Sequence, residues 1–295
     1  MRLLITGASG LLGSRLVEVA IDAGHDVYAT YNSHPVVGRN TRFLDILDKE
    51  ALNKCLTESS PNVVIHTASL TDVDLCEEKP DLARWVNEVA AQNIARTCRQ
   101  TGSYLVHLST DYVFDGQRGH YGEGDVPNPI DEYGRSKLAG EREVALQCQS
   151  YCIARTSVLF GWGRTYRHNF ATWVHEKLSA GQRVNVVSAQ YASPTLNTDL
   201  ARMLIEVAER RIHGILHLAG STRVSRYEFA VLLAKQFGFN ESLLTPVQAG
   251  ATQWKARRPF DSSLNVSKAQ EMLTNKPATL EEELSEFAKE SQRGG

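Results

Sequence analysis

The sequence predicts an α/β protein: a doubly wound parallel sheet followed by a smaller C-terminal lobe. Three observations carry this. Short apolar runs alternate with helix-length amphipathic segments through the first 160 of 295 residues. Several runs are apolar on consecutive residues, as expected of strands covered by helices on both faces. After Phe160 the rhythm loosens, with no polar linker between the two parts.

The expected strands are residues 3–6, 27–30, 63–67, 104–109 and 152–157, and the expected helices 11–23, 49–59, 82–101 and 133–147. Strand–helix–strand order favours right-handed crossovers and hence parallel pairing. Beyond Phe160 the pattern gives helices at 169–180, 199–211 and 227–237, the last ended by Gly238. Extended segments fall at 184–187 and 215–218, and two short helices at 268–273 and 280–290. Residues 1–160 are therefore read as a Rossmann-like domain. Residues 161–295 are read mainly as a second lobe, with some segments returning to the first.

Composition narrows the function. Thirty-two Lys and Arg against 34 Asp and Glu give a net charge of −2, which speaks against nucleic acid as a partner. No apolar stretch approaches the 18 or so residues of a membrane span. Only Leu3-Leu4-Ile5 is apolar near the start, too little for a secretory signal. Five cysteines without a CxxC pair read as free thiols, so a soluble, cytoplasmic protein is expected. The nine histidines show no metal-ligand spacing, and His66 and His107 fall inside strand runs as core residues.

Chemistry concentrates in four places. Behind the first strand stands Thr6-Gly7-Ala8-Ser9-Gly10-Leu11-Leu12-Gly13. Glycines here allow a tight turn, let backbone amides approach a pyrophosphate, and let the following helix lie close on the sheet. The end of the second strand, Thr30-Tyr31-Asn32-Ser33-His34, would meet the cofactor ribose. It lacks the acid that usually holds the ribose hydroxyls of NAD, and Arg39 and Arg42 follow. NADP(H) is therefore favoured, with NAD(H) as the alternative. A third strand end, Leu108-Ser109-Thr110-Asp111, puts two hydroxyls at the carboxyl edge of the sheet, where Ser109 or Thr110 can meet a substrate carbonyl. Finally, Tyr133 and Lys137 lie one helical turn apart on one face. A phenol is a poor acid–base near neutral pH, and a neighbouring ammonium favours its ionised form.

These motifs together resemble the extended short-chain dehydrogenase/reductases. Within them, TGASGLLG, LSTDYVFDG, YGRSK, Arg258-Pro259 and Ser263-Leu264-Asn265 are similar to the dTDP-4-dehydrorhamnose reductase family over nearly the whole chain. The resemblance implies a catalytic triad of Thr110, Tyr133 and Lys137. It also implies cofactor contacts at Asp45-Ile46, at Ala68-Ser69-Leu70 and near Asn87. Asp111, Asn169, Gln190 and Arg258 are candidates for the substrate. Two positions depart from the family pattern: Val158, where a tryptophan is common, and Ala189, where an acid usually precedes the glutamine.

The expected function is NADPH-dependent reduction of the 4-keto group of a nucleotide-linked deoxysugar, with a homodimer as one option for its assembly. A nucleotide-sugar epimerase is an alternative. A 4,6-dehydratase is disfavoured because Tyr112 replaces its glutamate. An alternative of another class is a non-catalytic NADP-binding subunit resembling the methionine adenosyltransferase β subunit.

Overall fold

A computed structural model describes residues 1–36, 38, 40–163, 169–248, 250 and 254–293. Seven strands form one parallel sheet: β1 (Arg2–Thr6), β2 (Asp26–Tyr31), β3 (Thr41–Phe43), β4 (Val63–His66), β5 (Tyr104–Thr110), β6 (Tyr151–Thr156) and β11 (Gly214–His217). Their spatial order is β11-β6-β5-β4-β1-β2-β3. The chain lays β2 and β3 to one side of β1, then crosses back and builds β4, β5 and β6 on the other. The reversal between β1 and β4 opens a crevice at the carboxyl ends of the strands, the place where such sheets bind ligands.

Helices cover both faces. On one, α1 (Leu11–Asp22) and α8 (Asn197–Arg210) share a core through Leu12, Leu16, Leu200 and Leu204. On the other, α2 (Lys49–Ser59), α5 (Ala90–Thr101) and α6 (Glu132–Gln147) bury Leu52, Leu56, Ile94 and Val144. A separate core joins α7 (Phe170–Ser179), α9 (Arg226–Phe237) and α11 (Leu280–Arg293) around Phe160, Val174, Phe229 and Phe287. Thus β11 and α8, both beyond residue 160, belong to the main sheet.

Two elements of the first half escape the sequence pattern. The edge strand β3 is three residues long and leaves Phe43 exposed. Helix α3 (Val73–Glu78) is set by the Asp72 cap, whose carboxylate accepts from Leu75 N at 3.0 Å. The expected helix at 82–101 is in fact α4 (Pro80–Arg84), a π-helical turn (Trp85–Val89) and α5. All five cysteines are buried and unbridged. Among the described residues no helix is long and apolar enough to cross a membrane.

Candidate active site

Each glycine of the first loop has its own reason. Gly7 sits at φ +72°, and a Cβ there would lie 2.7 Å from Ala68 N. Gly10 donates its N–H to Gly7 O at 2.9 Å, closing the turn. A Cβ on Gly13 would stand 2.1 Å from Gly7 O, so only glycine lets α1 pack this closely on the loop. No side chain caps α1 and no acid stands in its first turn. The amides at Leu11 and Leu12 and the positive end of the helix dipole are therefore available to an anion.

The loop opens on a cleft of about 470 Å³. Among the expected cofactor residues, Gly7, Ser9, Gly10, Tyr31, Asn32, Ser33, Asp45, Ile46, Ala68, Ser69 and Leu70 line it. Thr30, expected with the β2 end, lines it too, while Leu44, Leu47, Thr67 and Val86 line it and were not expected. Thr67 directly precedes an expected residue, so extending that stretch by one residue would have found it. Val86 lies in the π-helical turn, which no periodicity signals. A glycine cradle, uncapped amides and a wall without a carboxylate at the β2 end fit a dinucleotide phosphate. Arg42 is engaged with Glu58 at 2.8 Å, and Arg39 lies outside the described residues.

Asn87 lies one layer behind the cleft, not in its lining. Its Oδ1 accepts from Ser69 Oγ (2.8 Å) and Leu70 N (2.9 Å), and its Nδ2 donates to Leu70 O and Ser136 Oγ, both at 3.0 Å. It therefore clips the β4 loop to α6. A π-helical turn inside a helix often marks such a site, and Gly140 keeps α6 within reach: its Cβ would be 2.3 Å from Asn87 O.

The two hydroxyls ending β5 separate clearly. Ser109 Oγ donates to Glu141 Oε1 at 2.5 Å, and Glu141 also holds Arg155 through two bonds of 2.9 and 2.7 Å. Ser109 thus belongs to a buried ion pair below the site, and Thr110 is left beside Tyr133. Residues Tyr133, Lys137 and Glu141 follow at one-turn spacing along α6. Lys137 is 3% exposed and donates to Leu108 O at 2.7 Å. Burial pushes its ammonium down to about 8, with Glu141 acting in the opposite direction.

Burial raises the Tyr133 phenol above its usual range. Tyr133 thus holds its proton, as a general acid must. Its ring packs edge-to-face on Tyr112, centroids 5.8 Å apart. Below it, His66 is pushed down to about 3 by burial and bonds Thr6 Oγ1 at 2.7 Å, and His107 is buried too. Both are core residues.

Three candidate substrate residues have polar contacts within the protein. Asp111 is buried and accepts from the Thr110, Ser157 and Ser262 hydroxyls. Gln190 accepts from Arg226 Nε at 2.6 Å and donates to the Tyr112 hydroxyl at 3.2 Å. Asn169 caps α7, accepting from Thr172 N, and donates to Gly161 O at 2.8 Å. Arg258 differs: one nitrogen donates to Asp74 at 2.9 Å, while Nη1 is buried with no partner among the described residues. Trp162 stacks on Phe287 in the C-terminal core, so it does not stand in for the family's tryptophan at Val158.

The family model described as the RmlD substrate binding domain matches residues 1–293. The chain belongs to the dTDP-4-dehydrorhamnose reductase family. A solved member of that family, the dTDP-4-dehydrorhamnose reductase of Bacillus anthracis in complex with NADP, is 31% identical with a TM-score of 0.89, covering 98% of this chain and 99% of its own. A probable low-salt glycan biosynthesis reductase of Haloferax volcanii is 34% identical over 96% of both chains. The methionine adenosyltransferase 2 subunit beta of Xenopus laevis is 32% identical over 92% of this chain and 82% of its own. The chain is thus similar to relatives of both kinds anticipated from the motifs.

Proposed function

We propose that this protein reduces the 4-keto group of a nucleotide-linked deoxysugar with NADPH. The observation that carries the reading is Tyr133: a phenol that keeps its proton, next to Thr110 and one helical turn from Lys137, in a fold whose glycine loop opens on a cleft fit for a dinucleotide. The cleft residues at Gly7–Gly13, Tyr31–Ser33, Asp45-Ile46 and Ala68–Leu70 would hold the cofactor. When bound, the nicotinamide supplies hydride to the carbonyl carbon. Tyr133 gives its proton to the carbonyl oxygen. Thr110 holds the tyrosine hydroxyl in place, and the Lys137 charge stabilises the phenolate that remains. The test is NADPH oxidation with dTDP-4-keto-6-deoxy-L-mannose.

NADPH is expected to bind more tightly than NADH, because no carboxylate at the β2 end repels a 2′-phosphate. A Kd ratio of one or less by titration calorimetry would refute this.

Arg258 is the substrate residue we retain. Its Nη1 is a buried donor free of any described partner, and a guanidinium matches phosphate oxygens. Hydrogen bonds to charged groups are worth about 1.5–3 kcal/mol, so Arg258→Ala should raise KM for the sugar nucleotide roughly 10- to 100-fold. An unchanged KM would reduce Arg258 to its contact with Asp74.

A second reading, a non-catalytic NADP-binding subunit, is supported by the 32% identity to the methionine adenosyltransferase subunit. NADPH binding without turnover of any keto-sugar nucleotide, together with co-purification with a methionine adenosyltransferase, would favour it. The reductase reading also places the protein in the cytosol, where buried free thiols stay reduced, which cell fractionation would check.

A further inference from the structure

Asp111 is 2% exposed, and its hydrogen-bond partners among the described residues are hydroxyls, not cations. Its Oδ1 accepts from Thr110 Oγ1 at 3.0 Å. Its Oδ2 accepts from Ser157 Oγ at 2.7 Å and from Ser262 Oγ at 2.5 Å. Burial raises its carboxyl, and the three hydroxyls act in the opposite direction; in its ionised form it can only accept, so all three hydroxyl protons point at it. Thr110 owns a single proton, and its oxygen already takes the Tyr112 N–H at 3.2 Å. With that proton turned to Asp111, Thr110 presents only an acceptor lone pair to Tyr133.

The titratable groups that act on Tyr133 are Asp111 and Tyr112 just beyond β5 and Cys76 from α3, and Lys137 stands one turn along its own helix. Burial pushes the Cys76 thiol up to about 12 and raises the Tyr112 phenol, so both stay neutral. That leaves one anion and one cation with opposite effects. Lys137 favours the phenolate, and Asp111 opposes it. Ser262 adds a further feature, because it follows Arg258 in the C-terminal loop while Asp111 stands just beyond β5.

We propose that Asp111 is a positioning residue that keeps the proton on Tyr133 until the substrate oxygen takes it. It does so through its charge and through the Thr110 hydroxyl that it orients. Docking of the 259–264 loop completes the arrangement through Ser262. This rests on the reading of Tyr133 as the acid of a keto-sugar reductase.

The sign follows directly. Removing the anion makes the phenolate easier to form, so turnover that needs the phenol should fall away at lower pH. In Asp111→Asn the alkaline limb of the kcat profile should move down by about one pH unit, a tenfold change in the phenol–phenolate equilibrium. KM for the keto-sugar and Kd for NADPH should barely move. A merely structural residue would leave the limb in place. A contact to the sugar would raise KM instead, and either result overturns the proposal.

A spectral arm needs neither cofactor nor sugar. The ultraviolet phenolate signal of Tyr133 is the difference between each protein and its Tyr133→Phe counterpart. Its onset should come about one pH unit lower in Asp111→Asn than in wild type, and identical curves overturn the proposal. If Asp111→Asn does not fold, Ser262→Ala should give the same shift, smaller in size, and no shift is again fatal. A wild type that reduces no keto-sugar would sink the reductase reading, while the spectral arm still decides the role of Asp111.

Discussion

Tyr133→Phe is expected to lower kcat by about 10²–10⁴-fold, the usual contribution of general acid catalysis. The substitution keeps the ring, its edge-to-face contact with Tyr112 and the packing of α6. Only the proton donor goes. Stability should change by about 1 kcal/mol or less, the net value of a single hydrogen bond. NADPH affinity should stay nearly constant, because the glycine loop and the β2 end lie elsewhere in the cleft. Lys137→Ala should behave differently, weakening both turnover and cofactor binding, and it also removes the bond to Leu108 O. Single-turnover kinetics separate chemistry from binding. If Tyr133→Phe turns over a keto-sugar at the wild-type rate, the acid is another residue.

Gly10→Val should cost at least about 100-fold in NADPH affinity, roughly 2.7 kcal/mol lost at the phosphate cradle. Gly10 precedes the first turn of α1 at φ −75°, a conformation valine can adopt. Its Cβ would come within 3.2 Å of Gly7 O, a contact relieved by a small shift. The fold should therefore survive, with overpacking costing about 1–3 kcal/mol. The branched side chain would instead occupy the space a phosphate must enter. Gly13→Val makes the contrast, since its Cβ would sit 2.1 Å from Gly7 O and must push α1 off the loop. Calorimetric titration with NADPH, beside thermal unfolding of both variants, checks the pair. Undiminished affinity in Gly10→Val would show that the loop is only a turn.

The sequence by itself determined the parallel sheet, because strands covered on both faces must be apolar on consecutive residues. It determined the glycine loop and the Tyr133–Lys137 pair as well, because a tight turn and a one-turn spacing are local properties. Such features need no knowledge of what lies across the molecule. The edge strand β3 and the π-helical turn at Trp85–Val89 were not legible, one too short and exposed, the other without a distinct period. Tertiary structure supplied the physical reason for Thr110 over Ser109, which the family resemblance alone had implied. They are neighbours of similar chemistry, and only the approach of Glu141 and Arg155 from α6 and β6 draws Ser109 away. It alone made burial the dominant influence on the Tyr133 phenol, since burial is a sum over every element packed against a group. The same holds for Asp111, Asn169 and Gln190: their residue types suggest contact with a ligand, but whether a polar side chain faces a ligand or its own protein depends on partners tens to hundreds of residues away.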